Sequence, residues 1–128
     1  RNNATLNNLK VTFKQVDIFE TFELHEKWDI IVSNPPYVPN SEKADIQPNV
    51  LNYEPHLALF VSDSEPLIFY KRIADFALNH LNSKGKLYFE IHRDAGNDCI
   101  NLLINSGFKN IELKKDLFGN DRMVRAEI

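Results

Sequence analysis

Glycine is scarce in this chain: Gly85, Gly96, Gly107 and Gly119 are the only four in 128 residues, and none is near another. They cannot form a Gly-x-Gly loop, so the sequence contains no such cradle for a nucleotide-type cofactor. Cysteine is scarcer still. Cys99 alone excludes an internal disulfide, and Ile100, Leu102 and Leu103 around it mark a core thiol rather than a nucleophile. No apolar run approaches the roughly 20 residues of a membrane span, and no charged-then-apolar start resembles a signal peptide, which points to the cytoplasm. A net charge of -3 provides no basic surplus for gripping phosphate backbones, so tight duplex binding is disfavoured. Internal repeats and low-complexity segments are absent as well.

With 43% hydrophobic and 26% charged residues, the composition is that of one globular core. Arg1 is not a Met and residues 2–8 have the character of a helix already under way, so the chain is expected to be part of a longer protein. From Leu9, the spacing of Val11, Phe13 and Val16 predicts a strand leading to Asp17-Ile18-Phe19. Ile30-Ile31-Val32 is a β-branched run without alternation, as in a parallel strand covered on both faces. Four prolines between Pro35 and Asp63 predict a long functional loop with at most a helical turn over 46–51, and Leu57 to Phe60 should fold it back onto the body. Then comes the clearest helix, with Ser64 as N-cap, Pro66 in its first turn, Leu67 to Leu81 apolar at threes and fours, and Gly85 as its stop. Lys86 to Ile91 follows as a strand, and Asp94 caps a helix that Gly107 ends. Ile111 to Leu113 and Val124 to Ile128 flank a Gly119-Asn120-Asp121 turn as a final hairpin. Together these elements predict an α/β fold with a mainly parallel sheet and one antiparallel strand near its end, with ligands at the carboxyl ends of the strands.

Asn34-Pro35-Pro36-Tyr37 stands at such an end, directly after Ile30 to Ser33. The Asn34 side-chain oxygen and the Pro35 carbonyl can each accept one N–H of a planar NH2 group and hold its lone pair toward an alkylating centre. The prolines fix φ and contribute no competing N–H. Tyr37 can pack on the planar group or contribute roughly 0.5 to 2 kcal/mol of cation–π attraction to a sulfonium. The bland alternative is an ordinary Asn-Pro turn. Asp17 and Ile18 carry two readings of equal weight, an adenine contact or the acidic end of a strand.

The resemblance extends beyond the tetrapeptide. Val32 to Pro39, Tyr53-Glu54-Pro55-His56-Leu57-Ala58-Leu59-Phe60, Phe69 to Ile73, Phe89-Glu90-Ile91 and Lys115-Asp116-Leu117-Phe118-Gly119-Asn120-Asp121-Arg122 together resemble the release-factor glutamine N5-methyltransferases, the PrmC/HemK family. Nucleic-acid amino-methyltransferases share the tetrapeptide, whereas Glu54-Pro55 and the segment from Asp116 to Arg122 select this family. The resemblance implies a Rossmann-like class I methyltransferase sheet lacking its first strands, S-adenosyl-L-methionine as cofactor, no metal, and the glutamine of the Gly-Gly-Gln loop of peptide-chain release factors as target. Asn34, Pro35, Pro36 and Tyr37 would then hold the target amide. Glu54 and Pro55 would shape the pocket rim or simply anchor the loop, and Asp17, Ile18 and Asn34 would face the cofactor. His56 and His92 are left as ordinary polar residues. His92 stands where the family commonly has Gly, and Val61 to Glu65 also departs from its pattern. The family's Gly-rich loop and N-terminal docking domain would lie upstream of Arg1, so this chain alone is expected to bind the cofactor poorly, to be inactive, and to have its first strand displaced, disordered or paired elsewhere. A nucleic-acid amino-methyltransferase and a non-catalytic interaction module remain the competing readings.

Overall fold

The computed structural model describes residues 1–20 and 25–128. The chain runs α1 (Asn2–Leu6), β1 (Trp28–Ser33), β2 (Val38–Pro39), a 3-10 turn (Asn40–Asp45), α2 (Pro48–Leu51), a second 3-10 turn (His56–Ala58), β3 (Phe60–Val61), α3 (Ile68–His80), β4 (Leu81–Glu90), α4 (Gly96–Asn105), β5 (Lys109–Lys115) and β6 (Asp121–Glu127). The main sheet has the order β1-β4-β6-β5. β1 is parallel to β4, and β6 is antiparallel to both β4 and β5. Three strands therefore run one way and β6 alone runs back, the mainly parallel α/β sheet with a terminal hairpin that the sequence predicts.

Register decides which face is buried. Ile31 is level with Leu87, Ser33 with Phe89, and Phe89 and Leu87 with Val124 and Ala126. That row meets Tyr70, Ile73, Ala74 and Ala77 from α3 and Cys99 and Leu103 from α4 in one cluster. Each large apolar side chain buried there contributes about 1.5–3 kcal/mol. The opposite face is charged toward the hairpin, where Arg125 pairs with Glu112 at 3.4 Å and Glu127 at 3.2 Å. Such partly exposed pairs contribute at most about 1 kcal/mol. Beside them Ile30 and Val32 are 56% and 73% exposed, so β1 is covered on one face only among the described residues, not on both.

Several predicted elements differ. The strand over Leu9 to Val16 does not form. The segment takes no regular structure and leaves Leu9, Val11, Phe13 and Val16 exposed, because β1 ladders only with β4 among the described strands and an unpaired segment leaves its N–H and C=O groups to water. α3 starts at Ile68, after an N-cap Leu67 that makes no side-chain cap, because the Ser64 hydroxyl is taken up at 2.8 Å by Ser62 in the preceding turn. α3 also ends at His80, and Gly85 lies inside β4. α4 follows Ala95 rather than an Asp94 cap; the Asp94 carboxylate instead accepts from Arg93 Nε at 3.5 Å. Gly107 does end that helix, at φ 97°, a conformation that costs other residues roughly 1–2 kcal/mol. The hairpin is longer than Ile111 to Leu113 and Val124 to Ile128, and its turn spans 116–120 with Gly119 at φ 83°.

Cys99 is buried as expected, and burial pushes its thiol up from 9.0 to about 12. Burial also raises the neighbouring Tyr70 hydroxyl. A raised acid stabilises the fold while its neutral form is the one favoured. That contribution is complete below the unfolded thiol value of 9.0 and is lost as pH climbs toward about 12. Iodoacetamide at pH 8 is therefore expected to label Cys99 only after denaturant is added, and the urea midpoint to fall across that alkaline window. Rapid labelling of the native protein, read by mass spectrometry, would contradict the burial.

Candidate active site

β1 delivers Ser33 to the carboxyl edge of the sheet, level with Phe89 of β4. Asn34 then emerges exposed, Pro35 is buried, and Pro36 and Tyr37 are half-buried. The two prolines offer no N–H, and the next two donors, Tyr37 and Val38, both go to the Leu59 carbonyl, at 3.2 and 2.9 Å. Val38 also pairs with Phe60 across β2 and β3, so Leu57 to Phe60 does fold the loop back onto the turn. The Tyr37 hydroxyl donates to Glu90 Oε1 at 2.8 Å. Burial first, and then that carboxylate, hold the hydroxyl above the usual tyrosine value. Among the described residues the Asn34 amide has no side-chain partner, and it lines a small cleft of about 80 Å³ with Pro35, Tyr37, Val38, Ala58 and Leu59.

Of the larger clefts that adjoin the turn, two are of about 400 Å³ or more. Pro35 and Pro36 line one of about 640 Å³ together with Asp17, Ile18, Phe19 and Phe69. Asp17 caps its own turn through Oδ1, which accepts the Phe19 N–H at 2.9 Å. Arg72 of α3 gives its Nε–H to the Ile18 carbonyl at 2.6 Å and reaches the Glu20 carbonyl at 3.3 Å. Arg72 thus fixes a segment that no strand ladder holds, and Phe19 meets Phe69 edge-on at 4.9 Å. Asp17 Oδ2, which has no hydrogen-bond partner among the described residues, lines a cleft with two aromatic rings that fits an adenine with its exocyclic amine, and Asn34 opens next to the Pro35 wall of the same cleft.

Tyr37 lines the other large cleft, of about 400 Å³, with Glu42, Val50, Leu59, His92 and Arg122. His92 latches the 3-10 turn there: its Nε2 lies 3.1 Å from Glu42 and its Nδ1 accepts the Asp94 N–H. Ligand atoms of Glu42, His92 and Asp94 lie within 4.8 Å of one another, yet both ring nitrogens are already engaged, so the trio acts as a latch rather than an open metal set. His56 has a similar structural task, holding the Leu51 carbonyl at 2.9 Å. Arg122 bonds Asp116 and the Ile91 carbonyl, each at 3.4 Å. Burial raises the Asp116 carboxyl, but N–H donors from Asn120 and Phe118 and the Arg122 guanidinium outweigh it and hold the group below its ordinary value.

Glu54 and Pro55 are exposed and line none of these clefts; their loop neighbours Leu57 and Leu59 do. Sequence reasoning gave no role to Glu90, Arg72 or the His92 latch. The signal for Glu90 was available: a carboxylate ending an apolar strand that must lie beside the Asn34 turn.

A release factor glutamine methyltransferase of Flavobacterium psychrophilum is 51% identical over 124 residues, covering 97% of this chain and 44% of that protein. One of Bacteroides thetaiotaomicron is 44% identical over 127 residues, covering 98% of this chain and 45% of that protein. The chain is homologous to the release factor glutamine methyltransferases. It spans less than half the length of these homologous methyltransferases, and no family model matches it. Its fold is shared with a methyltransferase of Pyrococcus furiosus, at a TM-score of 0.65 and 18% identity over 98% of this chain and 54% of that one. A protein-(glutamine-N5) methyltransferase of Alicyclobacillus acidocaldarius superposes at 0.50 and 23% identity over 79% of this chain and 48% of that one. The sheet, with β6 reversed, thus shares the fold of these two methyltransferases, and the Asn34 turn stands at its carboxyl edge. No helix among the described residues is long and apolar enough to cross a membrane.

Proposed function

We propose that this chain forms the target-binding part of a cytoplasmic enzyme that transfers a methyl group from S-adenosyl-L-methionine to the side-chain amide nitrogen of the glutamine in the Gly-Gly-Gln motif of peptide-chain release factors. The observation that carries the reading is the exposed Asn34 amide, unpartnered among the described residues, at the carboxyl end of β1, with the Pro35 and Pro36 cleft on one flank and the Tyr37 cleft on another.

Bound S-adenosyl-L-methionine supplies a methyl group made electrophilic by its sulfonium. The chain's task is to make a poor nucleophile react, since an amide lone pair is delocalised into its carbonyl. Asn34 Oδ1 and the Pro35 carbonyl each accept one amide N–H, which orients the nitrogen and favours its less delocalised form; positioning of this kind can be worth effective molarities of about 10⁵ to 10⁸ M. Tyr37 covers the planar group with its ring. No strong base is needed before attack, because the nitrogen becomes acidic once alkylated. Asp17 and the Ile18 backbone would hold the adenine end, and Glu54 and Pro55, exposed outside the clefts, would meet the release factor beyond them.

The test uses the complete gene product that contains this chain, with methyl-labelled cofactor and release factor, DNA and RNA as separate acceptors. Label is expected in the release factor alone, on the glutamine nitrogen by fragmentation mass spectrometry. Label in nucleic acid alone would overturn the reading in favour of an amino-methyltransferase that extrudes its base.

A further inference from the structure

We propose that Glu90 is a positioning residue for this methyl transfer: its carboxylate accepts the Tyr37 hydroxyl and so fixes the ring beside Asn34. The inference rests on the function proposed above and assigns the work of a residue outside the Asn34 turn.

The geometry comes from the sheet. Ser33 and Phe89 are level across the parallel pair, so the next residue of each strand, Asn34 and Glu90, stands at the same edge. Tyr37 closes the gap with a partly buried 2.8 Å bond across 53 positions of sequence. Glu90 is itself held firmly. Its backbone pairs with Met123, and its carbonyl accepts the hydroxyl of the fully buried Tyr70 at 3.1 Å. The Tyr37 backbone is tied to Leu59, which leaves ring rotation as its remaining freedom, and the Glu90 bond removes it.

Arg122 is the other charged group facing the phenol. Its charge favours the phenolate, whereas burial and Glu90 oppose that form and win, so Tyr37 stays a donor. Glu90 is a poor candidate for a base acting on the target, because the phenol occupies one of its oxygens and Tyr37, not Glu90, lines the Asn34 cleft.

In the complete gene product, Glu90→Ala and Tyr37→Phe are each expected to lower kcat with release factor about 10-fold, with KM for the cofactor changed less than about 2-fold. The double variant should be no slower than either single one, since both remove the same bond. Glu90→Gln keeps an acceptor oxygen and should stay within about 3-fold of the unmodified protein. Multiplying losses in the double variant, or a Gln variant as slow as the Ala one, would overturn the assignment. If Glu90→Ala unfolds, the cycle is run with Glu90→Gln and Glu90→Met. If the unmodified protein labels no release factor, the proposed function fails, and the bond is judged separately from the phenolate absorbance of Tyr37, taken as the difference from Tyr37→Phe. That titration should move to lower pH in Glu90→Ala, and an unmoved titration would discard the Glu90 assignment too.

Discussion

Asn34→Ala is expected to lower methyl transfer by about 10²-fold or more, because misplacing a reacting group by an ångström can cost that much, while stability changes by less than about 0.5 kcal/mol. The two halves of this result have separate causes. The side chain is exposed and makes no hydrogen bond within the described residues, so the fold loses nothing when it is shortened. The target amide, by contrast, loses one of the two acceptors that orient its nitrogen. Asn34→Asp is a sharper companion, since it keeps the acceptor and adds a negative charge beside the cleft. Turnover is measured with labelled cofactor and release factor, and stability by urea titration. Near-normal turnover in Asn34→Ala would remove the turn from the mechanism, while an unfolded Asn34→Ala would mean that the residue is structural.

Phe89→Ala has the largest expected effect on stability, a loss of about 3–5 kcal/mol. The ring is 2% exposed and meets Tyr70 edge-on, with centroids 5.1 Å apart. It lies between Ser33 on β1 and Val124 on β6, so the cavity would open at the centre of the sheet, where neighbours on both sides are fixed by ladders and cannot collapse into it. Because Ser33 leads directly into Asn34, turnover should fall in the fraction that remains folded. Phe118→Ala provides the contrast: that ring is 89% exposed at the hairpin tip, and its removal should change stability by less than about 0.5 kcal/mol. Urea midpoints of the two variants decide the matter, and a loss below about 1 kcal/mol for Phe89→Ala would mean that the core repacks.

Local pattern made most of this architecture legible. The β-branched run at Ile30 to Val32 located β1 by its short length and residue type, while the apolar spacing from Leu67 to Ala77 and the alternation around Val124 located α3 and β6 by periods that only one regular element satisfies. The boundaries were less readable because capping is a competition. Ser64 reads as an N-cap until Ser62 is seen to occupy its hydroxyl, and Asp94 until its carboxylate is seen to turn to Arg93. The strand expected from Leu9 failed for a different reason: alternation shows a preference for extension but carries no information about whether a neighbouring edge is available. The site divides the same way. Asn34 and Tyr37 could be named from a linear motif and Asp17 only as the end of an expected strand, whereas the Glu90 bond, the Arg72 anchor and the His92 latch depend on register and on loops meeting across 50 or more positions.

The uncovered side of β1 bears on how the protein must be handled. Among the described residues β1 has no ladder along one border, and its two protruding aliphatic residues, with Lys86 level with Ile30 beside them, leave a template onto which another polypeptide can add its own strand. Preparations of these 128 residues by themselves should therefore grow into larger species as concentration rises. A Lys in place of Val32 would act as a gatekeeper against that growth without disturbing the buried side.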